Sequence, residues 1–143
     1  MQIQRTVETQ AAPSAVFDYL SDFTRTTEWD PGTVSTVRVQ GDGGVGTVYD
    51  NVSEFNGRKT ELRYTVVDHV RHSLVRLRGE NKTVTAVDTM EITAVATGTK
   101  VTYTADFSFK GAARLVTPFM GGAFRKLGDE AEDGLRDALA KLA

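Results

Sequence analysis

The chain closes with a β-hairpin that runs directly into one long amphipathic helix, and few folds accommodate that succession. Val84 to Phe109 alternates like paired strands around Thr97-Gly98. From about Ala113 to Leu142, apolar residues then recur at helical spacing: Phe124, Leu127, Ala131, Leu135, Leu139 and Leu142. On the other face Arg125 and Asp129, Lys126 and Glu130, and Glu132 and Arg136 are spaced for i,i+4 ion pairs. Pro118 and Gly121-Gly122 are expected to break or loosen the start of this helix, which makes the segment a hypothetical lid. A sheet that feeds one long helix must curve to receive it, and a curved sheet closed by a helix tends to enclose a pocket.

The rest of the chain supplies that sheet. Ile3 to Thr9 alternates as a short strand, and Ala11-Ala12-Pro13-Ser14 opens a helix, because a first-turn proline forfeits no hydrogen bond. Val16, Phe17 and Leu20 mark its apolar side, Ser21-Asp22-Phe23 ends it, and a second helical turn is expected over Phe23 to Thr27. Trp29-Asp30-Pro31-Gly32 has the composition of a turn. Six strands follow, about 34–40, 47–55, 59–68, 73–79, 82–95 and 100–109. Gly41 to Gly46 is a loop between strands. It lacks a GxGxxG spacing and opens no helix, so it is not read as a phosphate cradle.

Short turns allow the register to be worked out. Asn56-Gly57 is a strong two-residue hairpin signal, and it sets Asn51 opposite Leu62 and Tyr49 opposite Tyr64. Asp50 then meets Arg63 and Glu54 meets Lys59 on the wet face. A turn at Thr97-Gly98 pairs Ile92 with Tyr103, Met90 with Ala105 and Asp88 with Phe107. A turn at Glu80-Asn81 sets Val75 and Leu77 beside Ala86 and Val84. The inner face expected from these turns carries Tyr49, Asn51, Leu62, Tyr64, Val66, Val75, Leu77, Val84, Ala86, Asp88, Met90, Ile92, Tyr103, Ala105 and Phe107. A one-residue slip would reverse every assignment.

Size and composition fit one domain over residues 1–143: 40% of residues are apolar and 25% charged, and the length suffices to bury a core. A net charge of -2 gives no electrostatic reason to expect nucleic acid as a partner. No segment is long and apolar enough to span a bilayer, and Met1 to Arg5 lacks the apolar core of a signal peptide. The absence of cysteine excludes disulfides and thiolate chemistry and fits a cytoplasmic setting.

The run from Thr9 to Asp22 (TQAAPSAVFDYLSD), followed by Trp29-Asp30-Pro31-Gly32, carries a family resemblance, as does Gly98 to Tyr103 leading into Lys110-Gly111. Over essentially the whole chain the sequence resembles the START and birch-pollen-allergen superfamily, and within it the polyketide cyclase/dehydrase and lipid-transport (SRPBCC) proteins. The resemblance implies an α+β helix-grip fold: a curved seven-stranded antiparallel sheet wrapped on a long C-terminal helix, with two short helices after the first strand. It implies a pocket for a hydrophobic molecule such as a polyketide, lipid or sterol. No cofactor is expected, and the superfamily has no invariant catalytic motif to match.

Candidate site residues follow from the inner face. Asp88 is a carboxylate among apolar groups, where its pKa should rise and fit it for general acid–base work; the structural alternative is a satisfied core carboxylate. Tyr49, Tyr64, Tyr103 and Asn51 either orient an oxygen-bearing ligand or simply fill the core. Trp29 either walls the cavity mouth or anchors its loop. Met90, Phe107, Phe124 and Leu127 complete the expected ligand-binding wall. His69 and His72 share one turn with Asp68 as the nearby carboxylate, too few groups for a metal. Arg71, Arg76 and Arg78 form a basic cluster that either meets an anionic partner or is simply a solvated strand face. Leu115 to Met120 is apolar enough to touch a membrane but is expected to fold inward, without stable membrane insertion. The functions to separate are therefore carriage of a hydrophobic ligand, cyclisation or dehydration using Asp88 and a tyrosine, and protein interaction through a fold whose cavity is filled by Tyr49, Tyr64, Tyr103 and Phe124.

Overall fold

A computed structural model of the protein describes residues 1–115 and 117–143, with the side chain of Thr117 also outside the description. Strand β1 (Gln2–Thr9) is followed by helix α1 (Pro13–Ser21), a 3-10 turn at Phe23–Arg25 and the short helix α2 (Thr26–Trp29). Strands β2 (Thr33–Gln40), β3 (Val48–Phe55), β4 (Arg58–Val70), β5 (Leu74–Glu80), β6 (Val84–Val95) and β7 (Gly98–Phe109) form a meander. Two 3-10 turns, Gly111–Leu115 and Thr117–Phe119, lead into helix α3 (Gly121–Ala140). The seven strands make one antiparallel sheet in the order β1-β7-β6-β5-β4-β3-β2. This is the helix-grip α+β fold.

The Asn56-Gly57 hairpin has the expected register, with Tyr49 opposite Tyr64, Asn51 opposite Leu62 and Glu54 opposite Lys59. Both turn residues have positive φ (53° and 80°), as a two-residue hairpin requires. Arg63 donates two hydrogen bonds to Asp50 across the wet face.

Two other turns are displaced from their expected positions. The last hairpin turns at Ala96-Thr97, so Met90 faces Tyr103 and Asp88 faces Ala105. Gly98 is needed for a different reason: a Cβ there would sit 2.1 Å from the Thr9 carbonyl oxygen, where the end of β1 presses in. Between β5 and β6 the loop is longer than the two-residue Glu80-Asn81 turn, and Leu77 faces Asp88. Asn81 organises this loop, its side-chain oxygen accepting from the backbone N–H groups of Thr83 and Val84. These displacements move cross-strand partners by two and four residues. Even shifts keep each side chain on its face, so the inner face expected from sequence is the buried one.

The C-terminal helix is shorter than its apolar spacing suggests. Pro118 and the glycines confine α3 to Gly121–Ala140; of the expected helix from Ala113, Val116 lies outside the described residues. Its buried stripe is Phe124, Gly128, Ala131, Leu135, Ala138 and Leu139, with Leu127 and Leu142 partly buried. The expected Arg125–Asp129 pair gives way to Arg5–Asp129 at 3.0 Å, which ties α3 to β1.

Glycines set how closely layers approach. Tyr64 lies over Gly79, opposite it on β5, and a Cβ at Gly79 would fall 2.6 Å from the tyrosine ring. Gly79→Ala therefore has to displace a buried ring. It is expected to cost about 1–3 kcal/mol by overpacking, measured by urea unfolding. An unchanged midpoint would show that the ring moves freely.

Candidate functional site

The inner face of the sheet and α3 bound a partly open cavity of about 120 Å³. One part of its wall is polar. Asp88 of β6, Tyr103 of β7 and Tyr64 of β4 line it together with Asp30, which follows α2. The other part is apolar: Phe124 of α3 meets Phe55, Phe107 and Phe109 at centroid distances of 4.9, 5.1 and 5.9 Å. Leu62, Leu127 and Ile3 fill in the remaining wall.

Asp88 is the group whose protonation this environment controls. Burial pushes its carboxyl from an ordinary value near 3.8 up to about 7, helped by the nearby charge of Asp30. A hydrogen bond from the Tyr103 hydroxyl and the charge of Asp106 act in opposite directions and are weaker than burial. The same burial and the two carboxylates hold the Tyr64 and Tyr103 hydroxyls well above their usual range. Near neutrality this cluster therefore contains two neutral phenols and a carboxyl poised between its two forms, a combination able to donate to or take a proton from a ligand oxygen. Asp30 is also pushed up by burial, although Thr33 and the Gly32 N–H donate hydrogen bonds to it at 2.9 and 3.1 Å.

Six of the ten residues expected at the site line the cavity: Tyr64, Asp88, Tyr103, Phe107, Phe124 and Leu127. The other four do not reach it. Trp29 ends α2 rather than sitting in a turn, and its indole packs edge-on against Tyr103 at 5.4 Å, a support for the cavity wall. The Tyr49 ring packs on Phe23 at 5.7 Å and borders a separate open groove shared with Asp18 and Arg71. The amide of Asn51 is engaged by Thr36 and Ser53. Met90 is wholly buried in the core. Of the four residues expected to fill the cavity, Tyr64, Tyr103 and Phe124 line it and Tyr49 does not, while Phe55, Phe107 and Phe109 gather around Phe124.

Residues missed by sequence reasoning are Phe55, Phe109 and Asp30. Strand alternation already placed Phe55 on the face of Tyr49 and Asn51, and Phe109 on the face of Phe107. Asp30 gave no separate signal: its Asp-Pro-Gly-Thr setting reads as a turn, in which the carboxylate accepts from the Gly32 N–H and the Thr33 hydroxyl. Elsewhere, His69 and His72 stack edge-on against Phe17, at 5.1 and 5.8 Å. Arg76 pairs with Asp68 and Arg78 with Glu80, so most of the basic cluster on that face is neutralised.

The family model described as polyketide cyclase / dehydrase and lipid transport matches residues 1–143, and the chain belongs to that family. No curated protein sequence matches it. Among solved structures it is similar to the Zhui aromatase/cyclase from Streptomyces sp. R1128, with a TM-score of 0.81 at 13% identity, covering 97% of this chain and 93% of that one. A START superfamily protein from Mycobacterium smegmatis gives a TM-score of 0.79 at 14% identity over 99% of both chains. A protein from Thermus thermophilus gives 0.78 at 15% identity, covering 97% and 95%. At these identities the likeness establishes the fold.

Proposed function

We propose that residues 1–143 act as one ligand-binding domain that encloses a small hydrophobic molecule bearing an oxygen group. The observation that carries this is the division of the cavity wall, with aromatic rings on one part and Asp88, Tyr64 and Tyr103 on another. Apolar burial supplies affinity at about 25 cal/mol per Å² before entropic costs, and the polar cluster selects orientation. An empty apolar cavity of ~150 Å³ admits benzene, so a cavity of about 120 Å³ matches a ligand portion near the size of one ring. A longer polyketide or lipid requires the Phe55, Phe109 and Phe124 rings to part.

The test is native mass spectrometry of protein isolated from its own host, compared with the denatured protein. A mass excess that vanishes on denaturation is expected and identifies the ligand. Empty protein that also takes up no single-ring phenol or fatty acid would refute the reading.

The position and protonation of Asp88 favour a second reading, an enzyme of the cyclase/dehydratase type. Asp88 would transfer protons, with Tyr103 or Tyr64 holding a substrate oxygen. Asp88→Asn should then abolish turnover of the ligand found in the host while leaving its binding within about tenfold. Equal turnover by both proteins would remove Asp88 from the chemistry.

A further inference from the structure

The surface beside the cavity carries large apolar side chains that the fold leaves in solvent. Phe119 is 87% exposed and Leu115 76% exposed, the most exposed large hydrophobic residues described. The expectation that this segment folds inward therefore fails for both side chains; Val116 between them lies outside the described residues. Phe119 borders an open groove whose walls include Phe55, Val84 and Phe109, and these three also line the cavity. The groove and the cavity thus share part of their walls.

The charge around these side chains departs from that of the whole chain, which is net -2. Arg58, Lys59 and Lys82 line the groove against one carboxylate, Glu61. Arg114 precedes Leu115 in the same 3-10 turn. Among the described residues none of these four cations forms a salt bridge, whereas Lys110 nearby is held by Glu80. Phe119 at a groove lined by three such cations, and Leu115 next to Arg114 in the chain, complement a surface that is apolar inside and anionic outside.

We propose that this face docks reversibly on an anionic lipid bilayer, with Leu115 and Phe119 entering the interface and Arg58, Lys59, Lys82 and Arg114 meeting the headgroups. No helix among the described residues is long and apolar enough to cross a membrane, so the association is peripheral. Docking stands independently of what the cavity holds, and it would place the cavity's aromatic closure against the lipid.

The experiment is co-sedimentation of the full chain with vesicles of phosphatidylcholine alone and of phosphatidylcholine with about 30% phosphatidylglycerol, at low and high salt. Binding is expected only with the anionic lipid and should weaken with salt. Lys59→Gln and Lys82→Gln should each weaken it roughly fivefold. Leu115→Ser with Phe119→Ser should weaken it about tenfold or more, with an unchanged melting temperature because both side chains are exposed. Three results would overturn the proposal: no binding to anionic vesicles, equal binding by the double serine variant, or capture of an acidic protein by this face without any vesicle binding.

Discussion

Asp88→Asn is expected to stabilise the protein at pH 8 by up to about 4 kcal/mol and to leave it nearly unchanged at pH 4. The sign comes from the raised folded-state pKa, about 7 against an ordinary 3.8. Well below pH 4 the carboxyl is neutral in folded and unfolded chains alike, and its burial carries no ionisation penalty. As the pH climbs from 4 to 7 the unfolded chain releases this proton while the folded chain keeps it, so stability falls. Above 7 the penalty is complete and constant. An asparagine keeps the shape and hydrogen-bonding capacity without a charge to desolvate. Thermal melts of both proteins between pH 4 and 8 should diverge across that window. Parallel profiles would mean that Asp88 ionises in the folded state as readily as in water. Exposed carboxylates with lowered values, such as Asp50 beside Arg63, act in the opposite sense but cancel between the two proteins.

Gly134→Ala should be the more damaging change, costing about 3 kcal/mol or more. A Cβ at position 134 would lie 1.8 Å from the backbone oxygen of Trp29 and 2.8 Å from its carbonyl carbon. Neither backbone can yield by rotating a side chain, so α3 and α2 must separate. Trp29 braces Tyr103, and the separation would therefore also disturb the polar part of the cavity. Gly122→Ala is the control: its nearest neighbour would be an Arg125 nitrogen at 3.8 Å, an ordinary contact. That control should move stability by less than about 0.5 kcal/mol. Similar melting temperatures for Gly134→Ala and the control would show that α2 and α3 can part at little cost.

These glycines also show what the sequence made legible and what it did not. Alternation and the Asn56-Gly57 turn were enough to place Tyr64, Asp88 and Tyr103 on one buried face, because parity survives an even error in turn position. Contact between distant segments has no such local signal. Gly98 has the look of a turn residue, yet it serves the approach of β1. Gly128 and Gly134 interrupt an otherwise good helix-forming pattern, and that anomaly was the available hint of close packing. Trp29 has the size of a cavity wall, but α2 turns it behind Tyr103, an orientation that depends on where α3 docks. Asp30 was hidden by its own turn chemistry, which explained the residue without requiring a cavity.

The sheet order has a kinetic consequence. Strands β2 to β7 each pair with a sequence neighbour, but β1 pairs with β7, joining Gln2 to Asp106. Hairpins can zip locally in microseconds, whereas closing a loop of about a hundred residues must wait for partners that are already ordered. Helix α3 packs on β1 and is bound to it through Arg5 and Asp129, so the two chain ends should consolidate together and late. Ile3, Phe124 and Leu127 come from these late pieces, and without them the cavity has no enclosing wall. In a stopped-flow refolding experiment, capacity to hold a single-ring probe should therefore appear with the slowest phase, after most of the strand signal has formed.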